Sequence, residues 1–233
     1  MASERLFEVI TFDCYGTLID WESGISGAFL AAAARDGVSL ERRRVLEAYA
    51  EIEPQLEAGS YRPYREILTE AERRVAERLD WKLSSSRAGF LAESLPGWAP
   101  FPDTVPALQR LAGAGYRLGI LSNVDEDLLA GTRAHLPVPF HLTITAEQVR
   151  SYKPGHSHFL AARERIGSAG WLHAAQSLFH DVGPCRELGV PVAWINRKGE
   201  ALPPGMPGPT REMRSLAELS AWLAPSGAGA GRP

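Results

Sequence analysis

Cysteine is nearly missing from this chain. Cys14 and Cys185 are the only two in 233 residues, too few for a disulfide framework or a zinc cluster. No apolar run approaches the roughly 18 residues that span a bilayer. The opening MASERLFEVI lacks the basic region and long apolar stretch of a secretory leader. Neither sign of charge dominates: 25 Lys and Arg stand against 28 Asp and Glu, a net of −3. That balance supplies no broad field to draw in nucleic acid or an anionic membrane. No internal repeat is visible. These absences lead to the expectation of a cytoplasmic, reducing-compartment protein with no nucleic-acid or membrane partner.

What is present is ordinary globular composition, 45% hydrophobic and 23% charged, which excludes wholesale disorder. The length allows one large domain or two modest ones. Phe7–Phe12 (FEVITF) is apolar and β-branched, closes at Asp13 and is followed by Gly16 and Thr17, so it reads as a buried strand of a parallel sheet. Residues 22–95 then show helical spacing. In YREILTEAERRVAERL the stripe Tyr64, Ile67, Leu68, Ala71, Val75, Leu79 opposes a charged face. A second stripe, Val45, Leu46, Tyr49 and Ile52, is expected to break at Pro54. The serines at 84–86 are expected to cap a further helix over Arg87–Leu95. With no strand pattern inside it, this block reads as a separate helical unit.

Beyond the breaker-rich SLPGWAPFP the pattern alternates. Helices are expected at Thr104–Ala112, Asp125–Arg133, His158–Ile166, Asp181–Leu188 and Ser215–Leu223, and strands at Tyr116–Leu121, Phe140–Thr145, Trp171–Ala175 and Val190–Ile195. Such alternation builds an open parallel α/β sheet, which the first strand joins. Residues 203–209 read as a stiff loop, and about 225–233 as a mobile tail.

Ligands of open α/β sheets sit beyond the carboxyl ends of the strands. At those ends the sequence delivers Asp13, Tyr15, Gly16 and Thr17, then Ser122 and Asn123, then Lys153 in SYKPG, and finally Gln176, Ser177, His180 and Asp181. A carboxylate nucleophile, a hydroxyl, a lysine and a second carboxylate are thereby expected on one edge.

The segments FDCYGTLID, LSN, YKP and SLFHDVGPCRELGVPVAWINR resemble the four ordered motifs of the haloacid dehalogenase superfamily, and more narrowly its type II 2-haloacid dehalogenase branch. The resemblance covers Phe7 to Arg197. It implies a Rossmann-like core formed by 1–17 and 97–233, with an all-helical cap inserted at 18–96. It also implies a hydrolase in which Asp13 displaces halide from a small 2-halo carboxylic acid to form an aspartyl ester. Lys153 would keep Asp13 ionised, and Asp181 would pair with Lys153 and position or deprotonate the hydrolytic water. Tyr15, Thr17, Ser122 and Asn123 would hold substrate, carboxylate or departing halide.

Two positions bear on reaction class. Phosphatase members have an aspartate two residues after the nucleophile, which protonates the leaving oxygen; here it is Tyr15. A halide leaves as a stable anion and needs no proton, whereas an alkoxide does. Metal-dependent members have two acidic residues in the fourth motif. Here Gln176 stands at the first of them and only Asp181 remains, so no obligatory metal or cofactor is expected. The rival readings are a Mg²⁺-dependent phosphatase of the same fold and a catalytically silent scaffold. The chain departs from the branch at Phe159 and Leu178, where a tyrosine and an asparagine are usual. Arg42, Arg43 and Arg44 lie near the place of the family's substrate-gripping cap arginine, and equally read as a solvated helix face. Asp181 and Ser122 also read as helix caps, His156 and His158 as surface histidines or, given a third ligand, a metal pair, and His180 as structural or as a base or halide donor. The sequence leaves a homodimer open.

Overall fold

A computed structural model describes residues 6–225, so the tail expected from about 225 lies, apart from Pro225, outside the described residues. The first strand, β1 (Val9–Phe12), is entirely buried, as four consecutive apolar and β-branched residues require. Four helices follow: α1 (Trp21–Arg35), α2 (Arg42–Glu57), α3 (Tyr64–Arg78) and the short α4 (Phe90–Ser94). Alternation then sets in with α5 (Thr104–Gly113), β2 (Arg117–Ser122), α6 (Glu126–Arg133), β3 (Leu142–Thr145), α7 (Ala146–Val149), α8 (Ser157–Ile166) and β4 (Trp171–Ala175). A single π turn (Leu178–Val182), α9 (Gly183–Glu187), β5 (Val192–Ile195), β6 (Arg211–Met213) and α10 (Leu216–Leu223) complete the order.

The six strands form one sheet in the order β3-β2-β1-β4-β5-β6, and every pairing is parallel. This is the expected α/β, Rossmann-like architecture. Strand order reverses at β1, so the crevice beyond the carboxyl ends of β1 and β4 is where such a sheet binds ligands. The first and last crossings between sheet and helical block run side by side there. Ile19 bridges to both Tyr15 and Pro100, and Phe101 N donates to the Leu18 carbonyl (3.0 Å). Gly16 takes φ +100°, a conformation open to glycine at little cost, with the Trp21 ring close by. One hydrophobic core continues from Ile10, Phe12 and Ile120 in the sheet through Leu18 and Ile19 to Phe29, Ile67 and Leu68. A smaller cluster around Phe159, Val192 and Trp194 fills the opposite face of the sheet.

Several local expectations are corrected. α2 does not stop at Pro54 but runs on to Glu57. The proline removes the hydrogen bond that would have ended on Ala50, and Gln55 Nε2 of the side chain donates to the neighbouring Glu51 carbonyl (2.8 Å). The helix expected over 87–95 is only the five-residue α4, preceded by a 3-10 turn at Ser85–Arg87 and entered at Gly89, and none of the three serines caps it. Asp181 is not a helix cap. Ser177 is, its hydroxyl accepting from His180 N (3.0 Å), which frees the Asp181 carboxylate. Ser122 caps nothing either, since the N-cap of α6 is Asp125, which makes no side-chain cap bond. The strand β6, with two of its three residues exposed, was not anticipated.

Candidate active site

The carboxyl ends of the strands bring three of the expected residues into direct contact. Lys153 is 1% exposed, and its ammonium spends all three donors: on Asp13 Oδ1 (2.8 Å), Asp181 Oδ1 (2.7 Å) and the Leu121 carbonyl (3.0 Å). Asp13 continues β1, with its N–H on the Ala174 carbonyl (3.1 Å). Its second oxygen, Oδ2, accepts from Thr17 Oγ1 (2.9 Å), and the same hydroxyl accepts from Gln176 N (2.9 Å). Thr17 thus orients the carboxylate from the segment that follows β1.

Burial would lower the lysine's pKa, but Asp13 and Asp181 outweigh it and raise it, so the ammonium stays charged. Asp181 is fully buried. Burial alone would raise its pKa, but the charge of Lys153 and the hydrogen bond from His173 hold it well below the usual carboxylate range. Asp13 goes the other way: burial raises it, Lys153 opposes, and the negative charge of Asp181 adds to the rise. One lysine shared between two acids leaves the more basic of them at the cleft.

Above the triad lies a cavity of about 220 Å³, roofed by α1, α2 and Trp98 and floored by the strand ends. Tyr15 lines it, its hydroxyl paired with Thr132 Oγ1 (2.9 Å) and its ring edge-on to Trp98. Ser122 lines it, and its Oγ has no hydrogen-bond partner among the described residues. The Asn123 side chain is spent differently: Oδ1 accepts from Lys153 N (2.7 Å), while Nδ2 donates to the Lys153 carbonyl (3.0 Å) and to Glu57 Oε2 (3.1 Å). It fixes the lysine's backbone and ties the core to α2. His180 lines the cavity as well, its Nδ1 against Ser177 Oγ (3.2 Å) and its Nε2 3.7 Å from Glu57 Oε2.

Other expectations fall elsewhere. Arg42, Arg43 and Arg44 are exposed on the first turn of α2, where Arg42 reaches Ser23 and Arg43 pairs with Glu47, and none of them lines the cavity. His156 is half-buried and pairs with Glu187 (2.9 Å). His158 is not a surface residue: it is buried against the Ser122 carbonyl (3.2 Å), where burial pushes its pKa down to about 3.

The sequence reading missed three participants. His173 on β4 donates through Nε2 to Asp181 Oδ1 (3.1 Å) and meets Thr11 Oγ1 with Nδ1 (2.8 Å), completing the surroundings of the second acid. Glu53 and Glu57 of α2 face the cavity with Tyr49 and Tyr64. The signal that could have found them is their spacing from Tyr49, four and eight residues on, which places all three on one helix face.

The donor set does not suit a hard divalent cation. Gln176 occupies the position where a second acidic ligand would be needed, and the Lys153 ammonium already lies between Asp13 and Asp181. Among the described residues no group of three or more His, Cys, Asp or Glu is disposed to hold a metal. No described helix is long and apolar enough to cross a membrane.

A parallel sheet with a carboxylate–ammonium–carboxylate triad at its switch point, roofed by helices inserted after the first strand, defines a capped α/β hydrolase. More narrowly, the chain belongs to the haloacid dehalogenase-like hydrolases, whose family model matches residues 7–179. It is 30% identical to the (S)-2-haloacid dehalogenase H-109 of Pseudomonas putida, over 93% of this chain and 97% of that one. It is likewise 30% identical to another (S)-2-haloacid dehalogenase of Pseudomonas putida, over 92% of this chain and 95% of the relative. Among solved structures, the L-2-haloacid dehalogenase RSc1362 shares the fold with a TM-score of 0.81 at 21% identity, over 93% of this chain and 98% of that one.

Proposed function

We propose that this hydrolase displaces halide from C2 of a small 2-halo carboxylic acid in two half-reactions. Asp13 Oδ2 attacks C2 in line. The carbon–halogen bond breaks with its electron pair leaving as halide, and the configuration at C2 inverts. Water then adds to the Asp13 carbonyl of the ester. Hydroxy acid leaves, Asp13 is restored, and one proton passes to solvent, so that halo acid and water become hydroxy acid, halide and proton.

The observation that carries this reading is one buried ammonium joining two carboxylates at the cleft. It opposes the rise that burial imposes on Asp13 without a metal, and Thr17 aims the carboxylate. Asp181 Oδ2, buried and without a hydrogen-bond partner among the described residues, is the acceptor offered to the hydrolytic water. With its pKa held low, Asp181 orients that water rather than taking its proton. Ser122 Oγ is the unspent donor for the substrate or the halide. Tyr15 is tied to Thr132, and burial pushes its phenol well above its ordinary range, so it is no acid for an alkoxide. That favours a halide over the phosphate ester of the rival reading.

In this reading residues 18–96 act as a cap that excludes water during ester formation, over a core of 1–17 and 97–233. The enzyme works in the cytoplasm, in keeping with two buried free thiols. It pairs as a homodimer covering exposed apolar side chains such as Leu160 and Phe179, which light scattering would read. Ion-selective detection of halide tests the function. Release from 2-haloalkanoates, unaffected by chelator and abolished in a folded Asp13→Asn variant, is expected. Phosphate release that a chelator stops would overturn it.

A further inference from the structure

The cavity over Asp13 is acidic where a carboxylate substrate would want a cation. No arginine is among the described residues that line it, and four carboxylates are: Asp13, Asp181, Glu53 and Glu57. Lys153 already spends two of its donors on two of them and the third on the Leu121 carbonyl. The other two stand one helical turn apart on α2. Glu53 Oε1 accepts from Tyr64 OH (2.9 Å). Glu57, 8% exposed, accepts from Asn123 through Oε2, but its Oε1 has no hydrogen-bond partner among the described residues.

A buried carboxylate oxygen left unpaired costs the protein free energy unless a ligand completes it. Burial raises the pKa of Glu57 well above its ordinary range, and the charge of Glu53 adds to the rise. Burial raises Glu53 too, against the pull of His180 and Tyr64. A guest carrying positive charge and N–H donors relieves both strains at once, and a second anion aggravates them.

We propose that Glu57, with Glu53 beside it, forms an ammonium subsite, and that the preferred substrate is a 2-halo acid bearing a protonated amine beyond the reacting carbon. The inference rests on the ester chemistry assigned to Asp13 and adds the group that α2 recognises. In the bound complex the amine donates to Glu57 Oε1, while the halogen-bearing carbon meets Asp13 and the substrate carboxylate meets Ser122.

The test compares halide release from 2-chlorobutanoate and from its 4-amino derivative at neutral pH, in the wild type and in Glu57→Gln. In parallel, calorimetry follows binding of the two corresponding halogen-free butanoates. The expected result is a kcat/KM at least about tenfold higher for the amine in the wild type. That ratio should collapse towards one in Glu57→Gln, and the amine should bind more tightly by the same factor. Equal kcat/KM values, or a preference for 2-chlorobutanoate that survives Glu57→Gln, would overturn the subsite and leave the halide reading standing. Tight binding of the amine in the wild type, lost in Glu57→Gln, with no halide from either compound would uphold the subsite and overturn the halide reading. Neither binding nor halide release would overturn both.

Discussion

Replacing Lys153 with methionine keeps the bulk of the side chain and deletes its charge. Two carboxylates that stood 2.8 and 2.7 Å from the ammonium would then be buried together without a counter-ion. A unit charge at about 4 Å, with an effective dielectric near 20, contributes about 4 kcal/mol. Breaking a buried pair by removing one partner costs about 3–5 kcal/mol. The folded variant escapes part of that cost by binding a proton. Asp13 takes it, because Asp181 keeps His173. A rise of about 3 pKa units, on a group already above its ordinary range, would leave Asp13 largely protonated at neutral pH, so halide release should fall by about tenfold. The sign of the pH effect on stability follows. A carboxyl whose folded pKa exceeds its unfolded value contributes stability below the unfolded value and loses it as pH rises through the folded one. The stability gap between wild type and variant, read by urea denaturation, should therefore narrow as pH falls from about 8 to about 5. A gap under about 1 kcal/mol, flat across that range, would refute the claim that the ammonium neutralises two buried acids.

Thr17→Val removes the hydrogen bond to Asp13 Oδ2 and strands the Gln176 N–H, so the single-turnover burst of halide should slow about tenfold. Glu72, buried with its oxygens on Gly89 N and Leu91 N, has its pKa raised by burial to about 7. It should destabilise the fold by about 3 kcal/mol as pH rises from about 4 to about 8, and in Glu72→Gln that slope should vanish from denaturation curves. Asp125 accepts from Tyr64 N (2.7 Å) and Arg65 N (2.9 Å), so a core carboxylate supplies the N-terminal cap that Pro63 cannot give α3. Asp125→Ala should cost about 1–2 kcal/mol in denaturation experiments, and protease susceptibility should rise in the helical block.

The sheet was legible because buried parallel strands are short apolar runs closed by turn residues, and all five runs predicted on that basis are strands. β6 escaped because Arg211–Met213 is short and charged at an edge, with none of that signature. Asp13, Lys153 and Asp181 could be grouped in advance because Asp13 follows β1 directly, the segments after β3 and β4 carry the other two to the same edge, and the family resemblance paired them. The roof of the cavity could not be read in the same way. Periodicity divides α2 into apolar and charged faces, and a glutamate turned into a cavity looks the same as one turned to water. Pro54 compounded the error, since cutting the helix there detaches Glu57 from the face it shares with Tyr49 and Glu53. His173 was hidden for a related reason. β4 is buried on both faces, so a polar residue within it breaks no alternation. Asn123 was legible as a polar residue at a strand end, but not as a clamp on the Lys153 backbone, which depends on a loop 30 residues on.

The central claim is that the Asp13 carboxylate bonds covalently to substrate carbon and is regenerated by water attacking its own carbonyl. Single-turnover hydrolysis of a 2-halo acid in ¹⁸O water, with enzyme in excess, followed by mass spectrometry of the Asp13 peptide, measures this directly. One heavy oxygen in the Asp13 side chain and none in the hydroxy acid is predicted. Heavy oxygen in the hydroxy acid with an unlabelled Asp13 would mean that water attacks the substrate itself, and would contradict it.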